Sequence, residues 1–352
     1  MAVVKPFRAL RYDERKAGPL EELVAPPFDV ISPDERLEYL AQSPYNVVHL
    51  TLPDDEEEAA RDLAVWRRAG VLVREGQPSY WFLAQDYVGP DGVSRRRSGL
   101  VASLRAEPYE SGAVLPHERT HSGPKEGRLR LLRATRTQLE PIFLLYDGEP
   151  LPTPDREPDL ESGGDKLWRI EDAPSFDDTE LLIADGHHRY ETAVAYAQEG
   201  GLPYLMVVLV PTRQEGLTIF PTHRIAERLG DVNGAEPVGG VGAALQQLDE
   251  LPRDRPAVAL YRNGETCVLK GDEPALDAAF VESFGPEGVS YTPRVEEAVG
   301  AVDSGRAEAA FLLRAPTIEQ VRAVAERGDT MPQKSTYFYP KLTSGLLFHP
   351  LD

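Results

Sequence analysis

The sequence predicts a mixed α/β protein, with a core domain over residues 1–228 and a second, smaller α/β lobe over residues 229–352. Three observations carry that expectation. Apolar runs of strand length recur along the chain and alternate with longer stretches of helical period. Leu181–Val210 reads as strand, turn, helix, strand. A loose glycine-rich stretch, Gly230–Gly242, then separates this unit from a new set of hairpin and helix patterns.

In chain order, the two prolines of Val24-Ala25-Pro26-Pro27-Phe28-Asp29-Val30-Ile31 bar a regular helix and force an extended or tight backbone. Ser32-Pro33-Asp34-Glu35 reads as a helix start, with a serine cap, a proline and acids in the first turn. Asp54–Ala69 reads as a helix closed by Gly70. Tyr80–Tyr87 and Ser98–Leu104 read as paired strands around the turn Val88-Gly89-Pro90-Asp91-Gly92. Glu110–Gln138 is a charged segment, Pro141–Tyr146 a strand, and 147–166 a surface loop rich in Pro, Asp, Glu and Gly. Leu181–Ala184 is a short buried strand and His187–Gln198 a helix, with Tyr190, Ala193, Val194 and Ala197 on one face and Gly200-Gly201 at its end. With the strand Leu205–Val210 this predicts a βαβ unit. Further on, Ala257–Tyr261 and Thr266–Lys270 form a hairpin around Asn263-Gly264. Helices near Pro274–Ser283, Val295–Ser304 and Ile318–Arg327 and a strand at Ala309–Leu313 fill a second α/β layer, and Met331–Leu347 has neither period.

Composition narrows the function classes. The 352 residues are 41% hydrophobic and 27% charged, ordinary values for a folded chain. The net charge of −20, from 58 acidic against 38 basic residues, opposes a broad nucleic-acid footprint but leaves room for a small basic pocket. A lone cysteine, Cys267, cannot close an intrachain disulfide, fits a reducing compartment and reads as a small buried hydrophobe. Met1–Leu10 runs straight into Arg11, Asp13, Glu14, Arg15 and Lys16, which is no leader pattern, and no apolar run approaches the roughly 20 residues of a membrane helix. A soluble protein in the cytoplasm is expected.

The chemistry centres on Asp185-Gly186-His187-His188-Arg189, which follows a buried strand and opens a helix. A helix start offers unpaired N–H groups and partial positive charge, Gly186 allows close approach, and Arg189 can fork onto phosphate or carboxylate oxygens. The plain alternative is an Asp185 cap with solvated histidines. His117-Glu118-Arg119-Thr120-His121 matches the H-E-x-x-H zinc pattern, which works only on a helix. Pro116 before it and Ser122-Gly123-Pro124 after it deny that scaffold, which leaves Glu118 as a general-base candidate or a solvated loop residue. Phe220-Pro221-Thr222-His223-Arg224 supplies a second His-Arg pair. Lys334, Ser335, Thr336 and Lys341 lie in the irregular tail, suited either to closing over a phosphate or to plain packing by its aromatics. There is no G-x-x-x-x-G-K-[ST] loop, no G-x-G-x-x-G after a strand and no G-x-S-x-G elbow.

Taken together, Ala25-Pro26-Pro27-Phe28-Asp29-Val30, His117-Glu118-Arg119-Thr120, Ala184–Ala193, Pro221-Thr222-His223-Arg224 and Met331–Gly345 resemble the prokaryotic family called domain of unknown function 1015, with Phe28 where tyrosine is expected. That name conveys no activity. Leu182–Arg189, preceded by the Pro141-Ile142 strand, is also similar to the ParB/sulfiredoxin-like fold, in which a Gly-x-x-Arg turn binds nucleotide phosphates. Free serine kinases of that group carry an Asp-Gly-His-x-Arg turn and use an upstream glutamate as base.

The resemblance implies a ParB/sulfiredoxin-like nucleotide-binding core and phosphoryl transfer to a small metabolite, with serine and O-phosphoserine as the preferred pair. Gly186, His187, His188 and Arg189 would hold the phosphates of ATP or ADP, with Asp185 toward Mg²⁺. Glu118 would take the acceptor's proton, with His117, His187 and His188 as further catalytic candidates. His223, Arg224, Lys334, Ser335, Thr336 and Lys341 would clamp the substrate. The rivals are a metal-assisted phosphatase built on His117, Glu118, His187 and His223, and a non-catalytic nucleotide or metabolite sensor. Expected partners are a small substrate and a nucleotide, not nucleic acid or membrane. The position of Cys267, far along the chain from the turn, opposes sulfiredoxin-like redox chemistry.

Overall fold

Apolar runs long enough to bury both faces dictate the architecture, and the computed structural model, which describes residues 1–118 and 122–352, shows where they go. Among the described residues the strands form a nine-stranded sheet and a six-stranded sheet, with three short ribbons. The first sheet runs Val114–Leu115, Leu181–Asp185, Ile142–Tyr146, Tyr204–Pro211, Ser94–Arg105, Tyr80–Val88, Asp165–Ile170, Leu160–Ser162, and Val4–Lys5 pairs with Ser94–Arg105. It is mixed. Ile142–Tyr146 is parallel to Tyr204–Pro211 and antiparallel to Leu181–Asp185.

Alternation explains why its central strands are apolar throughout. Phe143, Leu145, Met206, Val208 and Val210 pack into one core with the N-terminal helices and the C-terminal tail. Ile142, Leu144, Leu205, Val207 and Leu209 face the opposite way and meet Tyr190 and Ala193 of the helix His187–Gln198. A strand covered on both faces has no polar side, so its sequence is a continuous hydrophobic run. The hairpin Ala257–Arg262 with Glu265–Lys270 turns through Asn263 (φ 53°) and Gly264 (φ 79°), the left-handed pair that a two-residue turn requires.

Several expectations are revised. Leu181–Asp185 and Tyr204–Pro211 flank Ile142–Tyr146 and run in opposite directions, so the unit around the turn is not a parallel βαβ. The loop read over 147–166 contains the strand Leu160–Ser162 and the start of Asp165–Ile170, whose Leu167 and Trp168 are buried. The charged segment 110–138 contains the helix Ser122–Thr135, which buries Leu129, Leu131 and Leu132 and packs against the helices Glu56–Ala69 and His187–Gln198. His223–Arg228 is an inner strand of the second sheet, between Ala309–Leu312 and Glu287–Thr292, so the change of lobe precedes His223 rather than following residue 228. The helix Ile318–Glu326 puts Val321, Val324 and Ala325 into the first lobe's core.

After that helix the chain crosses back. Tyr337–Tyr339 pairs with Thr218–Phe220, His349–Pro350 pairs with Thr137–Gln138, and Phe348 is fully buried in the first core. Among the described residues no helix is long and apolar enough to cross a membrane.

Candidate functional site

The strand Leu181–Asp185 ends in the sequence's most conspicuous turn. Gly186 takes φ 98°, a left-handed conformation open to glycine at little cost, and the helix starts at His187. Glycine has no side chain with which to cap this start, and a helix start carries backbone N–H groups that lack intrahelical partners. The turn lines a cleft of about 340 Å³ between the lobes. Its wall brings together Glu118, Asp185, Gly186, His187, His188, Arg189, Lys334, Thr336 and Lys341.

Asp185 organises the floor. One carboxylate oxygen accepts from Arg189 Nη2 at 2.7 Å, and the other is bonded to the Lys341 ammonium. Burial works against its charge, but Lys341 and Arg189 outweigh it and hold the carboxyl well below the usual carboxylate range. The Lys341 ammonium is held above its ordinary value because Asp185 overcomes the cost of burial. Arg189 is 8% exposed, and its second fork arm donates to the Pro141 carbonyl. Its guanidinium therefore braces the turn rather than projecting into the cleft, a correction to its reading as the phosphate fork.

The histidines form a neutral pair behind the turn. His117 is fully buried, its Nδ1 lies 2.7 Å from the Ile183 carbonyl, and its Nε2 lies 3.1 Å from the Thr336 hydroxyl. A carbonyl only accepts, so Nδ1 carries the proton and Nε2 accepts from Thr336. Burial lowers this ring's pKa to about 4, despite the Ile183 carbonyl. His187 Nε2 accepts the His117 backbone N–H at 3.3 Å, and the two rings meet edge-on at 4.6 Å. Burial and His117 keep His187 well below its ordinary pKa, and because its Nε2 accepts, the neutral ring carries its proton on Nδ1.

Glu118 follows in extended chain, bridged to Met331 of the tail. Burial raises its carboxyl above the usual range, with partial relief from the Lys334 ammonium and the Lys334 amide. Arg119, Thr120 and His121 of the H-E-x-x-H match lie outside the described residues.

Other expected members sit behind the wall. His223 is 1% exposed, with Nδ1 accepting from the Leu313 amide. Arg224 is buried beneath Tyr291 and reaches the Gln333 carbonyl at 3.3 Å. Ser335 donates to the Pro332 carbonyl. The four-ligand set His117, Glu118, His187 and His223 is not assembled, and among the described residues no three metal-ligating side chains converge. Asp185 does not fit a magnesium ligand either, because both its oxygens already face cations.

Sequence reasoning missed part of the wall: Phe28 and Val30 from the proline turn, Thr222, and Tyr291 to Pro293 from the edge of the second sheet. The fixed backbone of Pro26-Pro27 was a legible signal for the first. Tyr291 to Pro293 carry none, since they arrive through the packing of the second lobe.

The family model described as "Protein of unknown function (DUF1015)" matches residues 4–284. No curated protein matches the chain. Among solved structures, one described as a free serine kinase in complex with AMP is 17% identical and covers 66% of this chain and 89% of its own, with a TM-score of 0.40. A conserved hypothetical protein from Pyrococcus furiosus is 18% identical over 66% of this chain and 92% of its own, with a TM-score of 0.38. SbnI with a C-terminal truncation, from Staphylococcus aureus, is 13% identical over 71% of this chain and 87% of its own, with a TM-score of 0.41.

Proposed function

The chain belongs to the family described as "Protein of unknown function (DUF1015)", and from that premise we propose that it is a phosphotransferase, moving a phosphoryl group from ATP or ADP to the hydroxyl of a small metabolite. The observation that carries this reading is the convergence of Glu118 and the Asp185–His188 turn, remote in sequence, on one cleft. Free serine is the preferred acceptor, on the resemblance of the Asp-Gly-His-x-Arg turn and the upstream glutamate to the free serine kinases.

Phosphoryl transfer needs positioned partners and compensated charge more than covalent help from the protein. The turn residues Gly186, His187 and His188, which line the cleft at a helix start, hold donor phosphate oxygens through backbone N–H groups, and the neutral His187 contributes as a hydrogen-bond donor. Lys334, exposed on the same wall, offsets the charge of the transferring group. The acceptor hydroxyl gives its proton to Glu118 as its oxygen bonds to phosphorus, and the donor leaves one phosphoryl group shorter. A carboxyl with a raised pKa is the stronger base for that proton. Lys341 and Arg189 act through Asp185 and keep the turn rigid, while Arg224 and Ser335 set the tail segment that carries Lys334. Magnesium, if it accompanies the nucleotide, neutralises phosphate charge, and no residue here is assigned to it.

The test is ³¹P NMR of the full chain with serine, magnesium and either ATP or ADP. Phosphoserine should appear, and Glu118→Gln should lower turnover by roughly 10²–10⁴-fold with nucleotide affinity retained. Turnover unaffected by that substitution would remove Glu118 as base; no phosphoester from any hydroxyl acceptor would remove the reading.

A further inference from the structure

The proline turn takes no part in that chemistry, yet it builds one wall of the cleft. Pro26 and Pro27 deliver the chain into a single 3₁₀ turn, Phe28–Val30. The Phe28 amide donates to Glu140 Oε1 at 3.0 Å, and the same buried oxygen accepts from the Ser344 hydroxyl. The ring is held from one side. Arg128 lies 4.1 Å from its centroid, itself tied to the Thr51 carbonyl at 2.6 Å. Arg128 lines a separate small recess, whereas Phe28 lines the cleft. Arg128 thus covers one face of a residue that belongs to the cleft wall, while Arg128 itself is not part of that wall. Val30, 41% exposed, extends that apolar surface.

The turn shares the cleft with the groups assigned to the transfer: Phe28, Asp29 and Val30 line it together with Glu118, the Asp185–Arg189 turn and Lys334. In an in-line transfer the departing group leaves on the side away from the acceptor, so the nucleoside needs a wall of its own.

We propose that Phe28 is the platform on which the base of the donor nucleotide stacks, Arg128 fixing the ring from behind. This rests on the phosphotransfer reading and adds what selects a nucleotide over a bare phosphate chain. An aromatic face offers any base an apolar contact of large area, and a cation on its far side holds it in place.

Calorimetric titration of the full chain with ADP and with inorganic pyrophosphate tests it. The native protein should bind ADP more tightly than pyrophosphate. Phe28→Ala should weaken ADP about tenfold and leave pyrophosphate unchanged. Phe28→Leu, which keeps bulk over Arg128 but has no flat face, should behave like the alanine variant, and Phe28→Tyr should retain native ADP affinity. Unchanged ADP affinity in both the alanine and leucine variants, or equal losses for both ligands, overturns the proposal. A native protein that binds pyrophosphate as well as ADP overturns it too, while leaving the phosphate site standing. Binding of neither ligand removes both.

Discussion

Two histidine–arginine pairs look alike in the sequence and end in unlike places. His188-Arg189 starts a helix, just after a left-handed glycine, on the wall of the cleft. His223-Arg224 opens a strand of the second sheet, with His223 accepting from the Leu313 amide and Arg224 bonding the Thr222 and Gln333 carbonyls beneath Tyr291. The first arginine is paired with a buried carboxylate, and the second makes no ion pair with a carboxylate among the described residues. The contrast teaches that side-chain chemistry alone does not make a site. The backbone that presents it does, here a helix start behind a left-handed glycine, with an acid to hold its cations.

The comparison breaks most severely at Asp185. Asp185→Asn leaves buried Lys341 and Arg189 without their shared counter-charge, and should cost roughly 3–5 kcal/mol in urea unfolding. A loss below about 1 kcal/mol would mean that the floor does not depend on this acid.

Acid should act on both regions. His117 and His223 are neutral in the fold because burial lowers each pKa to about 4. An unfolded histidine takes its proton near 6.5, so the stability they contribute is present above that pH and falls as pH drops toward 4, on the order of 3 kcal/mol for each. Unfolding curves across that window should show the loss, and His223→Gln should make it shallower.

Next in size is Gly186→Ala. The left-handed backbone costs a non-glycine residue roughly 1–2 kcal/mol, and the new Cβ would lie 3.1 Å from the Arg189 guanidinium. Pyrophosphate affinity should fall along with stability. The smallest effect is expected at Arg224→Met, within about 1 kcal/mol, because a buried charge without a carboxylate gives up little when it becomes apolar. A large stability loss there would make the second pair as structurally committed as the first.

What was legible in the sequence was local. The strand Leu181–Asp185, the turn glycine and the helix His187–Gln198 follow from one apolar run, one residue type and one period, and the Asn263-Gly264 hairpin from a turn dipeptide. The pairing order was not legible, because Leu205–Val210 reads the same whether its neighbour is parallel or antiparallel. Nor was the helix Ser122–Thr135, where charge obscures a buried edge of three leucines. Arg95-Arg96-Arg97 shows the limit most sharply. Arg95 and Arg96 pair with Asp91 and Asp86 near the surface, while Arg97, 1% exposed, lies over Phe143 and bonds Gln85 and the Pro340 carbonyl. Three like residues in a row carry no mark of which one is buried. At the site, Glu118, the glycine turn and the proline turn before Phe28 were identifiable separately, but Tyr291 reaches the cleft only through tertiary packing.

The most direct test of the account is the pH dependence of turnover in the native chain and in Glu118→Gln. Burial raises the Glu118 carboxyl, so native activity should rise with pH along a limb lying above the ordinary glutamate range near 4.3, and the variant should lack that limb. The same limb in both proteins, at the same turnover, would contradict the account.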